Sequence, residues 1–230
     1  MTAALMTSGL RACSGTDKSA EAKKLTAVEQ LAAAKAKADA ASSLHLTLTS
    51  SNIPDSANGV LAADGSGTHA PAFKGTLDVR IAGFAAKVEV VAIDKVLYLK
   101  LPFTTQFAPV DPKAYNAPDP ALLFAKDGGI SSLLTATTNP VEGKQTRAGS
   151  EVLKTISGKL PGAAVVKLLN VGDATKTFDV TYGITDSGGE LRTVTVVGPF
   201  YDEGATSPPA TSTYLLTLDK YGAAVEISKP

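Results

Sequence analysis

Three consecutive strand patterns between residues 73 and 102 constrain the fold of this chain more than any other stretch. Phe73–Ala82 alternates apolar and polar residues, which is typical of a strand with one buried face. Lys87–Ile93 and Val96–Leu101 are separated only by Asp94-Lys95, which predicts a hairpin, yet both strands carry apolar residues on both faces. An antiparallel sheet normally leaves one face to water, so these strands require a cover that either the chain or a ligand supplies.

A helix pattern precedes the strands. Glu21–Ala41 is rich in alanine, lysine and glutamate, and Asp17 or Ser19 can cap its start. One stripe of this helix carries Leu25, Val28, Leu31 and Ala32. The stripe predicts an amphipathic helix of about five turns that covers one side of a sheet rather than a membrane surface.

The remaining periodic segments predict an α+β fold. Further strands are expected at Leu44–Ser51, Val60–Ala63, Ala148–Ser157, Phe178–Ile184, Leu191–Val197, Thr213–Asp219 and Ala223–Ser228, short helices at Pro120–Ala125, Ile130–Ala136 and Pro161–Leu169, and a loop at Asp64–Pro71. We therefore expect one curved antiparallel sheet wrapped over the long helix and the short inserted helices. This domain would occupy residues 20–230, after a tether at residues 1–19.

Composition excludes some functions and favours others. The chain has 22 basic and 22 acidic residues, so its formal net charge of zero gives no support to nucleic-acid binding. Hydrophobic residues make up 44% of the chain, but aromatic residues only 6%, and tryptophan is absent. The apolar mass is therefore aliphatic, which suits smooth cavities better than stacking platforms.

The single cysteine, Cys13, has an informative context. Leu10–Gly15 resembles a bacterial lipobox, with leucine three positions before the cysteine and a small residue just before it, although Arg11 stands where a small residue is usual. Residues 2–9 are too short and too weakly apolar for a full export signal. Two interpretations follow: a cytosolic protein with a free cysteine, or a chain whose true start lies elsewhere and whose Cys13 is acylated. No stretch approaches the ~20 apolar residues of a spanning helix, so attachment to a membrane would be through lipid.

Catalytic patterns are scarce in the sequence. The chain has two histidines, His45 and His69, and neither has another histidine, a cysteine or a carboxylate close to it in sequence. No G-x-S-x-G motif surrounds a serine. We therefore expect no enzymatic activity, no metal and no cofactor. A hydrolase that uses Ser66 and His69 is the enzymatic alternative, and it predicts ester hydrolysis that disappears in His69→Ala.

The order of several short motifs resembles the LppX/LprA/LprF/LprG lipoproteins of actinobacteria. The motifs are Ser43–Leu46, Asp94–Tyr98, Phe107–Pro109, Asp119–Leu123, Asp127–Ile130, Ile156–Gly158, Tyr221–Val225 and the closing Lys229-Pro230. Tyr221 stands where that family usually has tryptophan. The resemblance implies a LolA/LolB-like half-barrel with an apolar cavity between sheet and helices. It also implies a carrier of acylated lipids or glycolipids, anchored through Cys13 on the outer face of the cytoplasmic membrane or partly released, with an envelope transporter as a further partner.

Apolar residues of the central strands and inserted helices are the candidates for lining such a cavity. They are Val88, Val90, Val91, Ile93, Leu97, Leu99 and Leu101 on the strands, with Leu122, Leu133, Val165 and Leu168 as opposing walls. Burying a 16-carbon chain requires about 12 kcal/mol, since each CH₂ contributes about 0.8 kcal/mol. The alternative is a filled core with no cargo, in an envelope lipoprotein with a structural or protein-interaction role.

Overall fold

One open antiparallel sheet dominates the computed structural model, which describes residues 24–81, 83–112, 118–201 and 211–230. The described strands are β1 (Ser43–Ser51), β2 (Gly59–Thr68), β3 (Ala72–Ile81), β4 (Phe84–Ile93), β5 (Val96–Lys100), β6 (Ala108–Val110), β7 (Thr138–Glu142), β8 (Thr146–Ala148), β9 (Glu151–Pro161), β10 (Thr177–Thr185), β11 (Leu191–Gly198) and β12 (Ser212–Asp219). They follow the order β6-β5-β4-β3-β2-β1-β12-β11-β10-β9-β7, and β8 also pairs with β9. The predicted fold, one antiparallel sheet with helices, is confirmed.

Three α-helices, α1 (Ala27–Ala40), α2 (Ile130–Ala136) and α3 (Gly162–Leu169), and the 3₁₀ helix Pro120–Phe124 accompany the sheet. α1 packs against α2 and touches β11 and β7, whereas α3 packs on β9 and β10. The 3₁₀ helix lies on β2, β3 and β4. The inner face of the sheet is the one that these elements cover.

The long helix begins later than predicted. Thr26 caps it, since its hydroxyl accepts the backbone N–H of Glu29 while the Glu29 carboxylate accepts the backbone N–H of Thr26, and the first helical residue is Ala27. The predicted caps Asp17 and Ser19, like Cys13, lie outside the described residues.

The predicted apolar stripe of α1 is also corrected. Of its four residues Leu31 is buried, together with Ala34 and Ala38, whereas Leu25, Val28 and Ala32 are exposed. The packed face therefore consists of one leucine and two alanines, and the small alanines allow close approach of the helix to its neighbours.

The predicted glycine-rich loop at Asp64–Pro71 is wrong, because β2 continues to Thr68. Gly65 and Gly67 lie on the inner face, and a Cβ at either one would overlap the ring of Phe73 or Phe124. These two rings stack with centroids 5.9 Å apart. The glycines therefore make room for aromatic rings inside a strand rather than mark a turn.

The predicted last strand, Ala223–Ser228, is not a strand. This tail is held at both ends: the Ser43 hydroxyl donates to the carbonyl of Ala223, and the Lys229 ammonium lies 3.1 Å from Oδ2 of Asp94. Asp94 lies in the β4–β5 turn, so the tail runs from the start of β1 to that turn.

The β4–β5 hairpin is confirmed. Asp94 and Lys95 have φ angles of 53° and 64°, and Ile93 pairs with Val96 across them. Two left-handed residues in succession match the twist of the flanking strands in a two-residue hairpin.

Candidate functional site

Strand register places small and aliphatic side chains together on the inner face of β3, β4 and β5. Leu77 pairs with Val88, and Val79 pairs with Ala86. On the next strand Leu99 pairs with Val90 and, on its other side, with Ala108. Directly opposed residues share a face, so these side chains form one apolar surface.

A cavity of about 290 Å³ lies against this surface. Its lining comprises Gly59, Val60, Leu77, Val79, Arg80, Ile81, Ala86, Val88, Leu97, Leu99, Leu101, Ala108, Val110, Pro112 and Pro118. All but one of these residues are uncharged and apolar. Such a lining can bury hydrocarbon without leaving polar groups unpaired.

Arg80 is the one charged residue of that lining. Its Nη1 donates to the backbone carbonyl of Pro54 at 2.9 Å, and its Nη2 lies 4.0 Å from a carboxylate oxygen of the fully exposed Asp55. The guanidinium group therefore ties the β1–β2 connection to β3 at the border of the cavity.

A smaller cavity of about 40 Å³ adjoins the first. Both cavities share Gly59, Val60, Leu77 and Pro118 as lining residues. The smaller one continues under β1 and β12, where Leu48, Leu169, Val171 and Tyr214 line it together with Phe73 and Leu123. The apolar space thus extends from the β5–β6 edge toward the middle of the sheet.

Tyr214 is the residue of the smaller cavity's lining that carries a polar side-chain group. Its hydroxyl lies 2.6 Å from that of Tyr201. Burial, and then the hydrogen bond with Tyr201, raise the pKa of Tyr214, so its hydroxyl stays neutral. Tyr214 therefore supplies a polar group where the rest of the lining is apolar.

The structure divides the residues predicted to line a cavity into two groups. Val88, Leu97, Leu99 and Leu101 line the larger cavity. Val90 shares their face but is only 1% exposed, and Leu133, Val165 and Leu168 are buried in the core. A role of any of these residues in binding a ligand stays a prediction.

Three predicted lining residues require correction. Val91 and Ile93 are out of phase with Val88, so they lie on the outer face of β4. Leu122 is 54% exposed, because the 3₁₀ helix buries Leu123 and Phe124 instead. None of the three lines either of the two cavities.

The sequence identified four of the fifteen residues that line the larger cavity. Leu77, Val79 and Ile81 carry the same alternation as Phe73 and were recognised only as a buried face. Pro112 and Pro118 lie in a proline-rich segment with no regular pattern, so no periodic signal identified them as a wall. Alternation within β3 is the signal that could have found the first three.

The two histidines are held by other groups. Nδ1 of His69 lies 2.6 Å from the carbonyl oxygen of Phe124, and Nε2 lies 2.9 Å from that of Ala38. His45 lies on the outer face, with Nδ1 2.7 Å from Asp219 and Nε2 3.3 Å from Asp64. Among the described residues, no group of three or more histidine, cysteine or acidic side chains is arranged to hold a metal.

No helix in the described part of the chain is long and apolar enough to cross a membrane.

Comparisons with known proteins give a family and a fold. A family model described as "LppX_LprAFG lipoprotein" matches residues 24–227. The crystal structure of LprF from Mycobacterium bovis is 18% identical, covers 89% of this chain and 96% of LprF, and superposes with a TM-score of 0.73. The lipoprotein LppX from Mycobacterium tuberculosis is also 18% identical, with 88% and 98% covered and a TM-score of 0.64.

A LolA-superfamily protein from Nitrosomonas europaea superposes with a TM-score of only 0.30, which is too low to indicate a shared fold. None of the curated protein sequences matches the chain significantly. The similarity to LprF and LppX, at this level of identity, establishes the fold.

Proposed function

Because the chain belongs to the LppX_LprAFG lipoprotein family, we propose that it carries acylated lipids or glycolipids between membranes of the cell envelope. The observation that carries the proposal is the cavity of about 290 Å³ against β3, β4 and β5. Arg80 is its single charged lining residue within the described chain, so the cavity matches the chemistry of an acyl chain.

The size of the cavity favours one chain over several. Ligand pockets commonly enclose about 300–1,000 Å³. The cavity lies at the lower end of that range, and the smaller cavity beside it adds about 40 Å³. A single acyl chain that runs from the β5–β6 edge toward Tyr214 fits this arrangement best.

The energetic requirement also favours an aliphatic lining. Each CH₂ taken out of a bilayer must recover about 0.8 kcal/mol from its new surroundings. Val88, Leu97 and Leu99 line the cavity and provide such surroundings, and the small Ala86 and Ala108 leave space beside them.

Cys13 anchors the protein in this proposal. Its lipobox-like context places a tether of small polar residues before the domain, so the acylated cysteine would hold the carrier at the outer face of the cytoplasmic membrane. Mass spectrometry of the peptide that contains Cys13 tests this step: the chain, placed behind a complete export signal in a host that acylates lipoproteins, should gain acyl groups that Cys13→Ser lacks.

The proposed carrier performs no chemical turnover. Both ring nitrogens of His69 face backbone carbonyls, so this side chain is not available as a base for Ser66. His45 lies on the face of the sheet opposite the cavity. Assays with short-chain and long-chain esters are expected to give no hydrolysis above the buffer rate.

A binding titration tests the carrier function directly. The full chain with Cys13→Ser, which excludes acylation, is titrated with a fluorescent 16-carbon fatty acid. We expect saturable binding of one molecule per chain, displaced by the unlabelled fatty acid. Organic extraction of the purified protein and mass spectrometry should also recover copurifying lipid.

The opposite result has a clear meaning. If the chain neither binds the fatty acid nor copurifies with lipid, the carrier proposal fails. The protein would then be an envelope lipoprotein with a structural or protein-interaction role.

A further inference from the structure

Four large apolar side chains are exposed together at one end of the sheet. Ile81 and Phe84 flank the β3–β4 turn and are 45% and 79% exposed, while Leu101 and Phe103 follow β5 and are 53% and fully exposed. β5 runs antiparallel to β4 and its last residue, Lys100, pairs with Glu89, so the chain leaves β5 toward the end of β4 at which Phe84 lies. Ile81 and Leu101 border the same cavity. We call the four exposed side chains at this end of the sheet, Ile81, Phe84, Leu101 and Phe103, the apolar tip.

The backbone of Phe103 is unusual. Its φ angle is +69°, in the left-handed region that bulky residues rarely adopt. The turn is closed by Thr104, whose backbone N–H and hydroxyl donate to the carbonyl of Leu101 at 3.1 and 2.8 Å. A fixed turn thus holds a phenylalanine ring in solvent, where it gains no burial from the fold itself.

The apolar tip is continuous with the cavity. Ile81 and Leu101 belong to the tip and also line the cavity of about 290 Å³. Phe84 pairs with Ile81 and therefore shares its face. A hydrocarbon chain that enters beside Ile81 and Leu101 passes from the tip into the cavity without leaving apolar surface.

Charges beside the tip are paired with one another. The Lys87 ammonium lies 3.4 Å from Asp78, and the Lys100 ammonium lies 2.8 Å from Glu89. Arg80, beside Ile81, lies 4.0 Å from the carboxylate of Asp55. Within the described part of the chain, each of these three basic side chains thus has an acidic partner, and no excess of positive charge directs the tip to an anionic surface. The tip is suited to hydrocarbon rather than to a charged partner.

We propose that the tip formed by Ile81, Phe84, Leu101 and Phe103 inserts into the surface of a lipid bilayer and opens the cavity toward the membrane. Exposed apolar patches on soluble domains mark sites of interaction, and here the patch borders a cavity for hydrocarbon. Insertion would allow an acyl chain to move between bilayer and cavity without crossing water. Transfer into water is unfavourable, since every two CH₂ groups exposed lower the equilibrium constant at least about tenfold. This inference rests on the proposed carrier function.

The test measures binding to vesicles of phosphatidylcholine by flotation. The full chain with Cys13→Ser is compared with the same chain carrying Phe84→Ser or Phe103→Asn; asparagine tolerates the left-handed backbone, so the turn is retained. Val141→Ser is the matched control, because Val141 is 65% exposed on β7, at the opposite edge of the sheet from β5 and β6.

We expect the reference chain to bind the vesicles and each tip variant to lower its partition coefficient about tenfold or more, since a phenylalanine side chain loses its apolar contact. Val141→Ser should bind like the reference. Raising the salt from 0.1 to 0.5 M, or adding anionic lipid, should change binding little, because charge is not the driving force. Transfer of the fluorescent fatty acid to vesicles should slow in both tip variants.

Two results would overturn the inference. One is a reference chain that takes up the fluorescent fatty acid from solution but does not bind vesicles. The other is concentration-dependent dimerisation in sedimentation velocity that Phe103→Asn abolishes, which would assign the tip to a second copy of the chain. Failure of fatty-acid uptake itself is a separate outcome, which rejects the carrier function; both tip variants should retain uptake from solution.

Discussion

Gly67 lies against the face of the Phe124 ring so closely that a methyl group in its place would overlap the ring. This contact attaches the 3₁₀ helix to β2. We expect Gly67→Ala to lower the free energy of unfolding by about 1–3 kcal/mol, because the ring must leave its position in a packed core. Urea denaturation followed by circular dichroism measures the change.

Ser66→Ala is the control for this substitution, since Ser66 is the neighbouring residue of β2 on the other face. It should change the free energy of unfolding by no more than about 0.5 kcal/mol. Equal losses of unfolding free energy in the two variants would show that any substitution in this part of β2 is destabilising and that the ring contact is not the cause.

His69 joins three elements by its two ring nitrogens. Its ring nitrogens contact the carbonyls of Phe124 and Ala38, so His69→Ala removes both contacts and the hydrogen bond that the ring N–H donates. We expect a loss of about 1–3 kcal/mol in the free energy of unfolding. Thr68→Ala removes only a hydrogen bond to the carbonyl of Ala70 in the same turn and should cost less. A His69→Ala loss below that of Thr68→Ala would contradict this role.

Leu99 and Tyr98 provide a matched pair for the cavity. They are adjacent in β5 and lie on opposite faces, and only Leu99 lines the cavity. Leu99→Trp should fill the space and weaken fatty-acid binding at least about tenfold, whereas Tyr98→Trp should leave the affinity unchanged. Fluorescence titration with the 16-carbon fatty acid makes the comparison, and equal affinities would place the ligand elsewhere.

The start of α1 has a measurable pH dependence. A hydrogen bond from the backbone of Thr26 lowers the pKa of Glu29 below its ordinary value of 4.5. The carboxylate therefore stabilises the fold above that pH, and its contribution disappears as the pH falls through the lowered pKa. Glu29→Gln should be less stable than the parent at pH 6, and the two should converge once the pH falls below the lowered pKa of Glu29. A difference that persists in acid would refute the charge-based account.

Local patterns in the sequence predicted most strands, because each of those patterns depends only on residues that are close together in sequence. The Asp94-Lys95 hairpin needs only two left-handed residues between apolar runs. The first half of β2 was predicted at Val60–Ala63, but its continuation to Thr68 was not, because Gly65 and Gly67 are explained by the rings of Phe73 and Phe124. Contacts of this kind leave no trace in a local pattern.

The tail shows how a correct pattern can mislead. Val225 and Ile227 are half-buried while their neighbours are exposed, so the alternation after Gly222 is real. The tail is nevertheless held by Ser43 and Asp94 rather than by pairing along a strand. Alternation indicates one-sided burial and not the presence of a hydrogen-bonded neighbour.

The candidate cavity could be predicted only in part, since the apolar residues of β4 do not reveal which face encloses it. Val88 and Val91 are equally apolar, yet pairing with Leu77 places Val88 inside and leaves Val91 on the outer face. Register with β3 decides between them. Pro112 and Pro118 also line the cavity, but the proline-rich sequence around them has no periodic pattern that could have identified them.

The two margins of the open sheet protect the protein against self-association. β6 has three residues and β7 has five, and each contains a proline, Pro109 and Pro140. Proline offers no N–H to an incoming strand, and a short edge strand leaves the incoming strand few residues with which to pair. At high concentration, the edge strands of neighbouring molecules therefore have few backbone groups with which to pair into fibrils, although the sheet is open.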